Sequence, residues 1–336
     1  MKTIHKNWKN KVFLIFLLAV LSILSACGAG QVTSSGGESQ EKTIINIGVQ
    51  GKVGVLNYAR NEKIFEKAFE NEIVEIKWAE FTSGPPHFEA IASGRLDFGA
   101  TGGTPLIAGQ AGGIDFRAIG VTSDGRKNYA ILARKDATFK SIEDIKGKKV
   151  AVAPGSGSSN FLFAALDKNG LSAKDIEIVP LQPDEARAAF ENGSVDVWAI
   201  WEPYLTTAIH QLGAVPILTS EDINLLSPGF LISRTGFTEE HPEYTELFLK
   251  AYEDARKEYD ENIETISKEL AEVQGVDEKI ILEVNEKTES ILSPTTDEFA
   301  KAQQEQADFL YEEGVIDKKI DISKVIDNTF VDNALK

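Results

Sequence analysis

Two stretches of the chain share one grammar. Ala90-Ile91-Ala92-Ser93-Gly94-Arg95-Leu96-Asp97-Phe98-Gly99-Ala100-Thr101 reads as a helix end, a glycine that stops it, and an apolar strand opened by Leu-Asp. Ala188-Ala189-Phe190-Glu191-Asn192-Gly193-Ser194-Val195-Asp196-Val197-Trp198-Ala199 repeats the pattern with Val-Asp. Each strand runs into a Pro-marked helix start, Gly103-Thr104-Pro105 in one case and Glu202-Pro203 in the other. A chain built from two such α/β units is constrained to two similar lobes. A cleft between lobes is a natural place to hold a small molecule.

The first residues read as a targeting segment. Lys2, Lys6, Lys9 and Lys11 precede an uncharged apolar run over 12–21, and Leu24-Ser25-Ala26-Cys27 follows. That order predicts a bacterial lipoprotein signal over 1–26, cleaved to leave a lipid-modified Cys27. An ordinary signal peptide or an uncleaved anchor is the alternative. Residues 27–42 are rich in Gly, Ser and Gln and read as a flexible tether. The expected location is outside the cytoplasm, held to the cell membrane by lipid.

Cys27 is the only cysteine of the 336 residues, so the folded part has no disulfide, thiolate metal site or Cys nucleophile. His87, His210 and His241 are scattered without metal-ligand spacing, and neither a metal nor a cofactor is expected. The formal charge of −17 argues against nucleic acid as a partner. It gives an anion no long-range attraction, so any anion site must work through local dipoles.

Strand and helix patterns alternate from Ile44 onward, which predicts mainly parallel sheets with helices on their faces. The expected organisation is a first lobe over 43–127, a second over 128–229, and a return to the first over 230–336. Ala130–Ala133 and Phe230–Ser233 are the expected crossovers. Beyond Glu239 the chain reads as charged helices packed around the first lobe, and a monomer is expected.

Chemistry concentrates at strand-to-helix turns. In Pro154-Gly155-Ser156-Gly157-Ser158-Ser159-Asn160 the glycines let backbone approach a ligand, and Ser158 or Ser159 can cap the helix. Free amides plus the helix dipole make an anion site without Lys or Arg. A capped loop with no ligand fits the same residues. Thr101-Gly102-Gly103-Thr104-Pro105 offers a matching turn, with Pro105 expected at the first helical position. One oxyanion can be gripped by both turns. Gln50 and Gly51 end the first strand, where ligands bind in open α/β sheets. Ser83 belongs to another turn, either a helix cap or a ligand contact. Trp201 is expected to face the cleft or to be core. Glu202 is expected to be a helix-start residue near the hinge or a partner for a substrate amine.

With these motifs in place the chain resembles aliphatic sulfonate-binding proteins of bacterial ABC importers, a family grouped with taurine- and nitrate-binding receptors. The resemblance rests on Glu80-Phe81-Thr82-Ser83-Gly84-Pro85-Pro86, on the Leu96–Pro105 segment, on Gly155–Phe161, on Val195–Tyr204, and on Gln303-Gln304-Glu305-Gln306-Ala307-Asp308-Phe309-Leu310-Tyr311. It implies a two-lobed periplasmic-binding-protein fold, type II-like, and no enzymatic activity. It implies an alkanesulfonate held by Gln50, the Gly102–Thr104 turn and the Ser156–Asn160 turn, with Trp201 beside the organic tail. It also implies a permease and ATPase as partners and a role in sulfur acquisition. Alternatives are a receptor for taurine, nitrate or aromatic sulfonates, or an enzyme like the pyrimidine-precursor synthases that share the fold. Family members often carry an acidic or amide residue where Gly103 stands and Asp where Glu202 stands. The missing side chain at Gly103 is therefore expected to enlarge the pocket.

Overall fold

The computed structural model describes residues 41–336 except residue 139. The lipoprotein signal, Cys27 and the tether up to residue 40 lie outside the described residues.

From the N-terminal side the elements are β1 (Thr43–Gln50), α1 (Val55–Asn61), α2 (Ile64–Ala68), β2 (Val74–Phe81), α3 (Pro85–Ala92), β3 (Phe98–Gly102), α4 (Gly103–Ala111) and β4 (Phe116–Ser123). The second run is β5 (Tyr129–Ala133), β6 (Lys149–Val152), α5 (Gly157–Lys168), β7 (Glu177–Pro180), α6 (Pro183–Glu191), β8 (Val197–Trp201), α7 (Tyr204–Leu212) and β9 (Val215–Thr219). The last is β10 (Gly229–Arg234), α8 (Thr235–Glu240), α9 (Pro242–Glu261), α10 (Ile263–Gln274), α11 (Glu278–Lys287), α12 (Asp297–Glu312) and α13 (Thr329–Ala334).

The strands form two five-stranded sheets of one topology. Their orders are β2-β1-β3-β10-β4 and β7-β6-β8-β5-β9. In the first, β1 runs parallel to β2 and β3, and β10 is antiparallel to both its neighbours. In the second, β6 runs parallel to β7 and β8, and β5 is antiparallel to both its neighbours. Each sheet thus takes its reversed strand from the chain as it arrives from the other sheet. The fold is two-lobed and mainly parallel.

The repeated motif has a repeated physical task. Gly94 and Gly193 both take a left-handed turn, φ 69° and 79°, that a side chain would strain. The following Asp then clamps the neighbouring parallel strand, β1 in one sheet and β6 in the other. Asp97 N–H donates to the Asn46 carbonyl, and its carboxylate accepts the Asn46 N–H, both at 2.9 Å. Asp196 does the same to Lys149, at 2.9 and 3.0 Å. Asp97 also has a countercharge, Arg234 at 2.8 Å from the far end of β10.

Among the C-terminal helices α9 packs on the first lobe, whereas α11 also reaches α7 of the second, where His210 Nε2 lies 2.6 Å from Glu283. Phe248 of α9 stacks on Phe98 of β3 at 4.1 Å and on Phe65 of α2 at 4.8 Å. A second, separate core fills the other lobe around Phe161, Phe190 and Trp198. Strand β9 is not foreseen by alternation, because Pro216 interrupts it; it pairs with β5 as an edge strand, where a missing donor is tolerated.

Candidate functional site

The C-terminal ends of β1, β3, β6 and β8 face one another across the cleft. A small cavity of about 50 Å³ lies between them, lined by Gln50, Gly84, Gly102 and Pro105 from one lobe and Tyr129, Ser156, Gly157 and Trp201 from the other, with Asn128 on the connection. Among the described residues no Lys or Arg lines it. Its volume suits a headgroup of a few atoms rather than a whole ligand.

Each lobe presents a helix start to this cavity. In the second lobe Ser156 caps α5: its hydroxyl accepts the Ser159 N–H at 3.3 Å and donates to the Ala153 carbonyl at 2.7 Å. The cap is therefore Ser156, two residues before Ser158 and three before Ser159, and it follows the left-handed Gly155 (φ 67°). The hydroxyls of Ser158 and Ser159 are spent on Ser156, at 2.9 and 2.7 Å. What α5 offers a ligand is backbone amide, not hydroxyl. In the first lobe α4 begins at Gly103, two residues before Pro105, so Pro105 is third rather than first. Gly103 and Thr104 then supply the free amides of that turn.

Three hydroxyls around the first-lobe turn, those of Ser83, Thr101 and Thr104, are buried without a hydrogen-bond partner. Buried polar atoms without partners are uncommon and mark places where another group is received. A Cβ on Gly84 would collide with the Thr101 hydroxyl and the Pro105 ring. A Cβ on Gly157 would collide with the Tyr129 ring and hydroxyl, and one on Gly102 would stand 3.4 Å from that hydroxyl. The Tyr129 hydroxyl thus stands between the two helix starts. Burial pushes its pKa up, so it remains a protonated donor at neutral pH.

Residues 69–264 match the NMT1/THI5-like family. A Bacillus subtilis (strain 168) protein named as an aliphatic sulfonates-binding protein is 44% identical over 323 residues, covering 96% of each chain. The chain belongs to the aliphatic sulfonate-binding protein family. Among solved structures, the alkanesulfonate-binding protein SsuA from Xanthomonas axonopodis pv. citri bound to MOPS matches with TM-score 0.81 and 28% identity, over 86% of this chain and 99% of that one. The periplasmic aliphatic sulphonate binding protein SsuA from Escherichia coli matches with TM-score 0.75 and 33% identity, over 85% and 92%.

Within this member of the sulfonate-binding family, Gln50, Gly102, Ser156, Gly157 and Trp201 meet at the small cavity. Ser83, Thr101, Gly103 and Thr104 lie directly behind its lining residues Gly84, Gly102 and Pro105. Gly51 and Glu202 line larger adjoining cavities, of about 570 and 240 Å³ respectively. Gly51 and Pro203 approach each other there across the cleft. Asn160 is buried, with neither end of its amide hydrogen-bonded, and lines another cavity together with Arg126, Lys168 and Gln306.

Both oxygens of Glu202 are engaged, one by the Thr206 N–H at 3.1 Å and one by the Thr206 hydroxyl at 2.8 Å, with Lys287 at 3.8 Å. Burial raises its pKa, and the Thr206 bonds oppose that rise. Its placement is that of a cap on α7.

The expectation for Gly103 is overturned as well. Gly103 does not enlarge the pocket, because the buried Gln303 of α12 occupies the space its side chain would take. Tyr129, Asn128, Gly84 and Pro105 were not foreseen as lining residues. Tyr129 opens the crossover strand, and an aromatic at that point, beside two glycine turns, is the only trace the sequence carries of it.

Proposed function

We propose that the protein is an extracytoplasmic receptor that captures aliphatic sulfonates for sulfur acquisition. It passes them to a membrane permease driven by a cytoplasmic ATPase, and lipid on Cys27 tethers it to the cell surface. The observation that carries this reading is the pair of opposed helix starts around a headgroup-sized cavity that has no basic side chain. A sulfonate is ionised at any ordinary pH and presents three acceptor oxygens. Amides of Gly157 and Ser158 on one side, and of Gly103 and Thr104 on the other, match those oxygens without a full countercharge. Tyr129 and the hydroxyls of Thr101 and Ser83 complete the donor set, with Gln50 and Gly51 at the strand end. Trp201 borders the route of the tail. Micromolar binding needs about −8 kcal/mol, which several charge-assisted bonds and a buried alkyl chain can supply.

The test is a thermal-shift and calorimetry series on the full chain with methane- to octanesulfonate, taurine, nitrate and sulfate. Sulfonates are expected to stabilise the protein by about 2.7 kcal/mol at a hundredfold excess over Kd. Taurine is expected to bind more weakly than propanesulfonate, because Glu202 is already bonded to Thr206 through both oxygens and has Lys287 at 3.8 Å as its cation. Preference for nitrate or sulfate over every sulfonate would overturn the assignment. Mass spectrometry of the cell-expressed protein tests the lipid: a diacylglyceryl adduct on Cys27 is expected, and an unmodified terminus would remove the anchor.

A further inference from the structure

Helix α12 sends one side chain to the headgroup turn from 200 residues away. Gln303 is fully buried, and its Nε2 donates to the Gly103 carbonyl at 2.5 Å. Its Oε1 is buried without a partner. A leucine or methionine would fill the same space without burying a half-satisfied amide, so packing alone does not account for the glutamine.

The bonded carbonyl belongs to a particular peptide. Gly103 C=O and Thr104 N–H share one planar unit and point opposite ways. A donor on the carbonyl therefore aims the Thr104 N–H, and polarises it as well. Pro105 has no N–H, so the first turn of α4 has only the Gly103 and Thr104 amides to offer. Fixing one of them fixes half of what that turn can give an anion.

The same helix also touches both connections between the lobes. Gln306 Nε2 donates to the Leu226 carbonyl at 2.9 Å, on the segment joining β9 to β10. Glu298 accepts from Arg126 at 3.3 Å, on the segment joining β4 to β5. We propose that Gln303 is a positioning residue for the anionic headgroup, orienting the Thr104 amide and bracing the first-lobe turn against the interlobe connections through α12. The proposal rests on the sulfonate reading given above.

The experiment compares wild type, Gln303→Met, Gly103→Ala and the Gln303→Ala/Gly103→Ala double variant, all as the full chain. Calorimetry with methanesulfonate and octanesulfonate reads binding, and urea unfolding without ligand reads stability. Gln303→Met keeps the volume and loses the donor. It is expected to weaken both ligands by the same factor, about fivefold or more, with little change in the urea midpoint. Gly103→Ala alone is expected to lose stability through collision with Gln303. The double variant is expected to recover stability and yet stay weak for methanesulfonate, because the steric conflict is gone and the donor is still missing. A double variant that regains wild-type affinity, or a Gln303→Met protein that binds both ligands like wild type, would reduce Gln303 to packing and overturn the proposal. A Gln303→Met loss that grows with chain length would also overturn it, since the tail and not the headgroup would then be affected. A wild type that binds no sulfonate overturns the sulfonate reading and this proposal with it, and is told apart by the wild-type titration alone.

Discussion

His87 sits fully enclosed beneath β1 and β3, its ring against Gly48, Gly99 and Phe81. Burial lowers its pKa from 6.5 to about 4, against the opposing effect of the Ser83 carbonyl at Nδ1. The unfolded chain therefore takes up this proton near pH 6.5 and the folded chain only near 4. Stability is whole above about pH 6.5 and drains as pH falls toward 4, by about 3 kcal/mol. Urea titrations at pH 7 and pH 5 are expected to show about 2 kcal/mol of this loss in wild type and a flatter profile in His87→Gln; equal slopes would remove His87 from the account. Across pH 6 to 8 the cradle contains no group that changes charge, so sulfonate affinity is expected to stay level. Trp201 gives a second residue-scale prediction. It lines the headgroup cavity and meets Tyr204 edge-on at 5.6 Å. Trp201→Ala is expected to cost longer sulfonates more than methanesulfonate, at up to about 0.8 kcal/mol for each methylene it covers. Calorimetry over the chain-length series checks it, and an even loss would place the tail elsewhere. At this scale the sequence disclosed the glycines and serines of the turns, since φ > 0 and capping are local demands. It did not disclose Tyr129 or Gln303, whose roles arise only when distant segments are folded together.

Elements show why the motif repeats. Asp97 and Asp196 clamp equivalent strands in equivalent ways, but their surroundings differ. Asp97 is 1% exposed and also accepts the Asn46 side-chain amide at 2.9 Å, while Arg234 pairs with its other oxygen. Asp196 is half-buried and accepts the Lys149 N–H. Asp97→Ala strands the Arg234 charge and two donors, and is expected to cost about 3–5 kcal/mol. Asp196→Ala loses one bond, and is expected to cost about 1 kcal/mol. Guanidinium or urea unfolding of the two variants decides it, and similar losses would mean the clamp itself, not its burial, sets the energy. The α/β alternation, the two crossovers and the matching lobes were legible because the periodicity and the Gly-x-x-Asp signal are short-range. Between β1 and β2 the helical stretch is broken into α1 and α2 where Lys63 takes a left-handed φ of 55°. The early start of α4 was hidden because Pro105 is tolerated within a first turn and does not mark its first residue.

For the whole molecule the decisive quantity is charge. The chain carries a formal −17 and is proposed to capture an anion. At long range such a protein repels its ligand, and the attraction begins only within reach of the helix starts. Added salt shortens the repulsive range from about 30 Å at 0.01 M to about 8 Å at 0.15 M. It reaches the enclosed amides far less. The association rate of methanesulfonate, followed by stopped-flow tryptophan fluorescence, is therefore expected to rise several-fold over that range, with the dissociation rate nearly constant. A pocket lined by Lys or Arg would behave the other way, because salt would screen the steering that brings the anion in. A falling association rate would show that a basic side chain, and not backbone dipoles, does the attracting; the cradle would then have to be rebuilt around whichever of Lys52, Arg126 or Lys287 lies near the ligand's path.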